Sequence, residues 1–266
     1  MDFEPIGFFR GDAARRYEAP RQGVFDGGRG VVELEPKRGY EMALRDLEGF
    51  ERIWLIFAFD RNGGRWRPTT RPPVMAPGHR RVGLFATRAP YRPNPIGLSC
   101  VRLINVTGLA IHVAEADLLD GTPILDLKPY VPAADSFPDA RAGWVENQAD
   151  DTWEVKASPE FLSACATVQS AGAPDVHRAA VLQLSHAPFD TTHKRVRKTD
   201  GGGILSLRMF RIVFTADPVT HSITLVRLDS GYTPSELAAD GDPYEDKAFH
   251  RALLGIKFGG SPIFRA

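Results

Sequence analysis

The sequence FATRAPYRPNPIGLS, residues 85–99, decides how the first half of this chain folds. Each of its three prolines lacks a backbone N–H, fixes φ and pushes the preceding residue toward an extended conformation. The stretch therefore predicts a stiff, non-helical loop that runs directly into the apolar sequence Cys100-Val101-Arg102-Leu103. Such a loop presents carbonyl and guanidinium groups in fixed positions, so a small ligand can be held without a further ordering cost.

The composition is typical of a soluble globular protein. The 266 residues allow one large domain or two smaller ones, and 43% of them are hydrophobic. No apolar run approaches the roughly 20 residues that span a bilayer, and the start of the chain lacks a signal-peptide pattern. We interpret the two cysteines, Cys100 and Cys165, as buried thiols of a reducing, cytoplasmic compartment. No Cys and His residues have zinc-ligand spacing, so no metal site is predicted.

The formal net charge is zero, but the arginines are unevenly distributed. The window from Arg61 to Arg92 contains eight arginines and no Asp, Glu or Lys. Arginine without lysine favours bidentate recognition of phosphate or carboxylate, and the interleaved aromatic residues are typical of a surface that meets unstacked RNA bases. The alternative is pairing with acids elsewhere in the fold, such as Glu115, Asp117, Asp120 and Asp126. The predicted RNA contacts in this window are Arg65, Arg67, Arg71 and Arg92.

Hydrophobic patterning predicts mainly strands in the first half of the chain. About six strands joined by Gly- and Pro-rich turns predict a small closed or nearly closed β-barrel. The sequence has no βαβ alternation and no GxGxxG after a strand, which argues against the common nucleotide-binding fold. We expect a helix over 40–47 that stops at Gly49, and strands over 31–34, 53–59, 82–86, 98–106, 110–118 and 125–128.

Residues 133–151, rich in Pro, Asp and Ala, predict a linker between two domains, 1–150 and 151–266. Ser158-Pro159-Glu160 predicts the start of a helix that places on one face Phe161, Leu162, Cys165 and Val168. We further expect a helix over 174–182, a hairpin of strands 205–215 and 222–228, and a final helix with Phe249, Leu253 and Ile256. The predicted fold class is mainly β, with an N-terminal small β-barrel followed by a smaller α+β C-terminal domain.

Five ordered segments resemble the TrmO (YaeB, TsaA-like) family. Arg92-Pro93-Asn94-Pro95-Ile96-Gly97-Leu98-Ser99 looks like the signature of that family. The matches cover roughly residues 4–145, and the resemblance weakens beyond residue 150. The other four segments lie in the expected order along the chain: Pro20-Arg21-Gln22; Trp66-Arg67-Pro68-Thr69 with Arg71-Pro72-Pro73; Leu119-Asp120-Gly121-Thr122-Pro123; and Asp126-Leu127-Lys128-Pro129-Tyr130.

The resemblance implies a small β-barrel that binds S-adenosylmethionine and methylates tRNA. It implies methylation at N6 of threonylcarbamoyl-adenosine, the modified base just 3′ of the anticodon. It also implies a homodimer with the site near the interface. The expected partners are therefore tRNA, the small-molecule methyl donor and a second copy of the chain, and no membrane.

The matched segments supply what this methyl donor requires. We expect Arg88 to bind its carboxylate, and the Leu98 backbone and the turn at residues 119–122 to frame its adenosine. Asp120 would accept from a ribose hydroxyl or from the adenine amine. Taken alone, Asp120-Gly121 also fits an ordinary tight turn and Pro20-Arg21-Gln22 a surface loop. The residues expected at the donor are Pro20, Arg21, Gln22, Asp60, Arg61, Phe85, Arg88, Asn94, Pro95, Ile96, Leu98, Leu119, Asp120, Gly121 and Thr122.

Two places depart from the family pattern. Asp60-Arg61 stands where the family usually has a histidine and a polar residue, so Asp60 either accepts from the cofactor's amino group or pairs with Arg61. In the second domain, family members tend to carry Asp-Pro-Arg-Pro-Ala-Tyr, whereas this chain has LSHAPFD at residues 184–190. A general base would help an N6 that bears a carbamoyl group. The candidate catalytic residues are Asp120, His186 and Asp190.

The basic segment at residues 191–198 fits either a mobile loop that contacts phosphate or a solvated charge run without a partner. Its predicted RNA contacts are Lys194, Arg195 and Arg197.

Three functions remain open. The ordered motifs favour a tRNA N6-methyltransferase. The altered second domain also fits an S-adenosylmethionine-binding homologue with another methyl acceptor, an RNA or a small molecule. A non-catalytic module that grips nucleic acid or an acidic partner with its arginines is the third.

Overall fold

Short strands dominate the first of the two compact units into which the chain divides, Met1–Ala149 and Asp150–Ala266. The computed structural model describes residues 2–15, 18–19, 23, 28–72, 81–147, 151–191 and 194–257. The helices of the first unit are α1 (Tyr40–Ala43) and α2 (Pro132–Asp135). Its strands are β1 (Gly7–Gly11), β2 (Arg29–Leu34), β3 (Arg52–Ala58), β4 (Thr69–Thr70), β5 (Val82–Gly83), β6 (Ile96–Thr107), β7 (Ala110–Ala114) and β8 (Pro123–Pro129).

Six of these strands close into an antiparallel barrel in the order β1-β2-β7-β6-β3-β8. Alternate residues of each strand face inward, and Ile53, Leu55 and Val101 are fully buried there. Gly97, at the start of β6, lies under the Phe57 ring, and a Cβ at that position would be 2.3 Å from a ring carbon. The glycine of the proline-rich motif is thus required by core packing. The predicted mainly β fold with a small barrel is confirmed.

Three elements of the first half differ from expectation. Residues 82–86 do not form a barrel strand, because only Val82–Gly83 pairs, with β4, before a 3₁₀ helix at Leu84–Ala86. The sixth barrel strand is β1, which the patterning did not predict. The helix expected over 40–47 is limited to α1, because Asp46 adopts a left-handed φ of 66° and a 3₁₀ helix follows at Leu47–Gly49.

The second unit is a five-stranded sheet with helices, in agreement with the predicted α+β class. Its strand order is β10-β11-β12-β13-β9, and β9 is the one strand that runs parallel to its neighbour, β13. No helix among the described residues has the length and apolarity of a membrane span. The elements are β9 (Glu154–Ala157), β10 (Val196–Thr199), β11 (Gly202–Leu207), β12 (Phe210–Asp217), β13 (Ser222–Ser230), α3 (Pro159–Ser170), α4 (Val176–Leu184), α5 (Pro234–Ala238) and α6 (Lys247–Lys257).

The helix start at Ser158 is confirmed, since its side chain accepts a hydrogen bond from the Phe161 N–H at 3.1 Å. Leu162 is an exception to the predicted apolar face of α3 and is 43% exposed. The strand expected over 205–215 is two strands, because Arg208 takes a left-handed φ of 49° between β11 and β12. The hairpin of β12 and β13 is present as predicted.

A buried histidine joins α6 to the sheet of the second unit. The His250 ring stacks on Phe210 with centroids 4.2 Å apart, and its Nδ1 lies 3.0 Å from Ser230 Oγ. The Asp246 carboxylate lies 3.8 Å from His250 Nε2 and accepts a hydrogen bond from the Tyr232 hydroxyl. Burial lowers the pKa of His250 to about 4, although the negative charge of Asp246 acts in the opposite direction. The histidine is therefore neutral in the folded state at neutral pH.

We expect this histidine to weaken the fold in acid. Below its ordinary pKa of about 6.5, the unfolded chain binds a proton that the folded chain refuses until pH falls to about 4. The free energy of unfolding should therefore fall as the pH is lowered through that window. In His250→Gln the fall should be smaller, as measured by urea unfolding at several pH values. Equal losses in both proteins would contradict this prediction.

Candidate functional site

Of the predicted non-helical loop at residues 85–99, residues 87–95 contain neither helix nor strand. Phe85 and Ala86 belong to a 3₁₀ helix, and residues 96–99 belong to β6. The proline-rich loop at residues 87–95 is tied to residues that follow β3. The Phe59 N–H donates to the Pro95 carbonyl at 2.7 Å, and the Asn62 side-chain amide donates to the Pro90 carbonyl at 2.8 Å. Prolines cannot donate backbone hydrogen bonds. The loop is instead held by proline carbonyls that accept hydrogen bonds from Phe59 and Asn62, which follow β3.

Arg92 supports the same loop from within. Its Nη1 donates to the Thr87 carbonyl at 2.9 Å, and its guanidinium lies 5.5 Å from the centroid of the Phe85 ring. The side chain is half-buried. The structure thus gives this predicted RNA contact an intramolecular role that the sequence did not indicate.

Apolar side chains are exposed beside this loop. Phe85 is 77% exposed and Leu98 is 56% exposed, on the outer face of β6 where it pairs with Ile56 of β3. The predicted donor residues Asn94, Pro95 and Ile96 are exposed as well. Exposed apolar side chains such as these could pack against a flat ligand.

The turn at residues 119–122 is held by backbone hydrogen bonds to β1 and the residues after it. The Gly121 N–H donates to the Phe9 carbonyl at 2.8 Å, and the Asp120 N–H donates to the Ala13 carbonyl at 2.8 Å. The Asp120 carboxylate accepts from the Gly11 N–H at 3.3 Å. Leu119 is half-buried, and Thr122 is buried and accepts from the Phe9 N–H. The tight turn is therefore real, and the Asp120 side chain takes part in fixing it.

Arg61 braces this turn from the other side. Its Nη2 donates to the Asp120 carbonyl at 2.5 Å and its Nη1 to the Ala14 carbonyl at 2.9 Å. The Asp60 carboxylate lies 4.0 Å from Arg61 Nε, so the pairing that the sequence offered as one alternative is present as a loose ion pair. The main described partners of Arg61 are two backbone carbonyls.

Asp117 is a residue of this region to which the sequence gave no more than a place among possible arginine partners. It is half-buried, and its carboxylate accepts a hydrogen bond from the Ser99 hydroxyl at 2.5 Å. Burial raises the pKa of Asp117, whereas the Ser99 hydrogen bond and the positive charge of Arg88 lower it. Its position two residues before the matched segment at residues 119–123 was the available signal.

The other acids named as arginine partners are engaged outside the arginine window. Glu115 pairs with Arg52 at 2.7 Å and with Arg102 at 3.3 Å, and Asp126 pairs with Lys128 at 2.8 Å. Within the part of the chain that the structure describes, no ion pair engages the exposed side chains of Arg65, Arg67 and Arg71.

The predicted donor segment Pro20-Arg21-Gln22 lies outside the described residues. Its neighbour Gly23 is described and buried. A Cβ on Gly23 would lie 1.6 Å from the Glu115 carbonyl oxygen. Gly23 is therefore closely packed against the backbone just before Asp117.

In the second unit, His186 and Asp190 follow α4. His186 forms an isolated β-bridge with Thr152, and its Nδ1 lies 3.2 Å from the Thr152 hydroxyl oxygen. The Asp190 N–H donates to the Ala187 carbonyl at 3.0 Å. Both residues lie in one irregular segment, and their catalytic role stays a prediction.

The basic segment divides into a buried and an exposed part. Lys194 is 7% exposed, and its ammonium donates to the carbonyls of Gln183 and His186. The predicted RNA contact at Lys194 is therefore wrong, and so is the alternative of a solvated charge, because a buried ammonium bound to the end of α4 is unavailable to phosphate. Arg195 and Arg197 are exposed, and Arg197 lies in β10.

Comparison with known proteins relates the first half of the chain to a described family. A family model for the tRNA-methyltransferase O N-terminal domain matches residues 8–136. A tRNA (adenine(37)-N6)-methyltransferase of Escherichia coli is 40% identical over 153 residues, which are 55% of this chain and 65% of that protein. The match thus spans less than two thirds of the E. coli relative.

Two further relatives extend the similarity. A probable S-adenosyl-L-methionine-binding protein of Pyrococcus abyssi is 36% identical over 162 residues, which are 60% of this chain and 85% of that protein. A crystal structure of TrmO from Pseudomonas aeruginosa aligns with a TM-score of 0.63 at 28% identity and covers 86% of this chain and 98% of that one. The likeness in fold therefore continues beyond the barrel.

The bracing of the turn by Arg61 predicts a specific effect on stability. Arg61→Ala removes two hydrogen bonds to backbone carbonyls and should lower the free energy of unfolding by about 1 kcal/mol, because both bonds are partly solvent-exposed. Arg65→Ala, at an exposed side chain of the same window, is the matched control and should leave it unchanged. Urea unfolding of the two variants checks this, and equal stabilities would contradict the bracing role.

Proposed function

Because the chain belongs to the tRNA-methyltransferase O family, we propose that it methylates N6 of threonylcarbamoyl-adenosine beside the tRNA anticodon, with S-adenosylmethionine as the methyl donor. The observation that carries this proposal is that the described matched segments at residues 92–99, 119–123 and 126–130 belong to one barrel and its loops. The proline-rich loop and the turn at 119–122 are both hydrogen-bonded to their surroundings, and Arg88, Phe85 and Leu98 stay exposed. The proposed enzyme is a cytoplasmic homodimer.

The described residues fit the parts of this donor. Arg88 is an exposed cation for the carboxylate, and Phe85 and Leu98 offer apolar surface for the adenine. The Asp120 carboxylate accepts from the Gly11 N–H through one oxygen, and its other oxygen has no donor among the described residues. A ribose hydroxyl is a suitable partner for that oxygen.

The proposed methyl transfer requires that donor and acceptor be correctly placed and that the N6 proton be removed. S-adenosylmethionine supplies a methyl group on a positively charged sulfur, which is a good leaving group. The acceptor N6 gains this methyl group and loses its proton, so a base near N6 would assist. Asp120, His186 and Asp190 are the candidates on this chain. Fixed loops contribute by holding the two reactants in line.

The tRNA contacts are proposed at exposed arginines. Arg65, Arg67 and Arg71 combine exposure with the absence of ion pairs among the described residues, which suits phosphate binding. Arg195 and Arg197 are exposed candidates in the second unit. Lys194 is not retained, and Arg92 is proposed to act on the loop rather than on RNA.

The decisive experiment is a nucleoside analysis. The protein is incubated with S-adenosylmethionine and tRNA that carries threonylcarbamoyl-adenosine, and the digested nucleosides are examined by mass spectrometry. We expect that nucleoside to become heavier by one methyl group, and tRNA that lacks the threonylcarbamoyl modification to stay unmodified. A methyl group on another acceptor would favour a different substrate. Donor binding without turnover on any RNA would indicate a non-catalytic module.

Single variants of the three candidates identify the base. Asp120→Asn, His186→Gln and Asp190→Asn should separate, with a fall in kcat of about 10²–10⁴-fold for the one that acts as the base. If the base is His186 or Asp190, the affinity of its variant for S-adenosylhomocysteine should stay close to that of the wild type, whereas Asp120→Asn should also weaken that binding because Asp120 is proposed to accept from the ribose. An equal fall in kcat in all three variants, or an unchanged kcat in all three, would contradict the assignment of a single side chain as the base.

The arginine assignment predicts a change in salt dependence. Replacing Arg65, Arg67 and Arg71 together by Ala should weaken tRNA binding and reduce the slope of log K against log salt by about 0.7–0.9 per lost phosphate contact. Arg10→Ala is the control, because that guanidinium already pairs with Glu33 at 2.9 Å. Filter binding at several salt concentrations measures both. An unchanged slope in the triple variant would remove these arginines from the RNA contact.

A further inference from the structure

The segment at residues 131–147, which we call the strap, follows β8 and lies within the first unit. The sequence predicted a linker from residue 133 onward, but the strap contains two short helices. α2 lies at its start, and a 3₁₀ helix at Gly143–Asn147 ends it. The family model stops at residue 136, so most of the strap lies beyond that match.

Asp135 attaches the first end of the strap to the barrel. Its Oδ2 accepts a hydrogen bond from the Val131 N–H at 2.8 Å and another from the Trp54 indole N–H at 3.3 Å. Trp54 belongs to β3, and the centroid of its ring lies 5.7 Å from that of Tyr130. The strap therefore starts from a fixed point on the outer face of the barrel.

The second end of the strap reaches residues 85–88, which we call the methyl-donor segment because Phe85 and Arg88 are proposed to contact the methyl donor. The Trp144 indole N–H donates to the Ala86 carbonyl at 2.7 Å, although the two residues are 58 positions apart in the sequence. Trp144 is half-buried. A direct hydrogen bond from a rigid ring thus joins the strap to the methyl-donor segment.

The bond from Trp144 helps to fix two successive peptide groups of this segment. The first group joins Ala86 to Thr87. Its carbonyl accepts from Trp144, and its N–H donates to the Leu84 carbonyl at 3.0 Å. In the second group, the Thr87 carbonyl accepts from Arg92 Nη1 at 2.9 Å. A planar peptide group that is held at both its carbonyl and its N–H has little freedom to rotate.

A fixed backbone matters here because the side chains of this segment are exposed. Phe85 and Arg88 both face solvent, so the backbone between them determines where their side chains can reach. A ligand that has to order a mobile segment loses affinity to that ordering. A segment that is ordered before the ligand arrives removes this cost.

We propose that Trp144 is a positioning residue for binding of the methyl donor, and that it acts through its hydrogen bond to the Ala86 carbonyl. The proposal rests on the proposed function, since it takes Phe85 and Arg88 as partners of the methyl donor. Trp144 is given no contact with the reacting atoms. The strap holds the indole in place, and the indole holds the backbone of the methyl-donor segment.

The test removes the indole N–H and keeps an aromatic ring. We expect Trp144→Phe to weaken S-adenosylhomocysteine binding, measured by calorimetry, about two- to tenfold, in line with the loss of one hydrogen bond between neutral groups. The KM for S-adenosylmethionine should rise by a similar factor. The kcat at saturating S-adenosylmethionine should stay close to that of the wild type, because the ordering cost falls on binding.

Trp153→Phe is the matched control. It removes an indole hydrogen bond in the second unit, from Trp153 Nε1 to Asp151 Oδ1 at 2.6 Å. The affinity for S-adenosylhomocysteine should be unchanged in this variant. If Trp144→Phe fails to fold, Asp135→Ala serves instead, because it releases the other end of the strap and should weaken S-adenosylhomocysteine binding by a smaller factor.

Hydrogen exchange shows whether the effect is local. In free Trp144→Phe the Thr87 amide should exchange faster than in the wild type, because the peptide group has lost one of its two hydrogen bonds. Bound S-adenosylhomocysteine should restore most of the protection. The amide of Val101, which is fully buried in the barrel, should exchange at the wild-type rate.

Four results would overturn the inference. One is an unchanged affinity for S-adenosylhomocysteine in Trp144→Phe, and another is an equal loss of affinity in Trp153→Phe. Faster exchange at Val101 as well as at Thr87 would indicate a general loss of stability, and a fall in kcat with an unchanged KM would contradict a role in donor binding. Failure of the wild-type protein to bind S-adenosylhomocysteine would instead refute the proposed function itself, together with the inference that depends on it.

Discussion

The short seam between β1 and β8 is the contact on which the barrel depends, because it closes the sheet. Its ladder contains two residue pairs, Gly7 with Ile124 and Phe8 with Pro123. Since the turn at 119–122 leads directly into β8, the bond from the Phe9 N–H to the Thr122 carbonyl serves both closure and the turn. An open sheet would leave an unpaired edge and an unsupported turn. The geometry of the proposed adenosine contact therefore depends on closure of the barrel.

Much of the barrel could be predicted from local patterns, and the exceptions have local causes. β3 and β6 are long and apolar, so their strands were found. The β1 sequence Gly7–Gly11 is short, begins and ends with glycine and pairs with strands distant in sequence, so no pattern indicated it. The break between β11 and β12 occurs at Arg208 without Gly or Pro. A left-handed arginine leaves no signal in hydrophobic periodicity.

The sequence predicted which residues belong to the candidate site better than it predicted what each of them does. The sequence pointed to Arg61, Arg88 and Asp120 as donor residues, but the hydrogen bonds that give Arg61 a bracing role join residues far apart in sequence. Lys194 was predicted to contact RNA and is buried against the end of α4. Asp117 accepts a hydrogen bond from the hydroxyl of Ser99, which lies 18 residues earlier in the chain, and no spacing rule indicates that pairing.

In the arginine-rich window at residues 61–92, arginine serves two purposes: it can bind phosphate, and it donates hydrogen bonds to the backbone of its own loops. Prolines supply carbonyls without supplying donors, so loops rich in proline have acceptors left over. Arg92 donates to the Thr87 carbonyl, and Arg81 donates to the Thr69 carbonyl, so arginine supplies the donors that proline withholds. A window with eight positive charges therefore offers fewer than eight to a nucleic acid. The net charge of a segment therefore overstates the number of phosphates it can bind when some of its arginines donate hydrogen bonds to backbone carbonyls of the same segment.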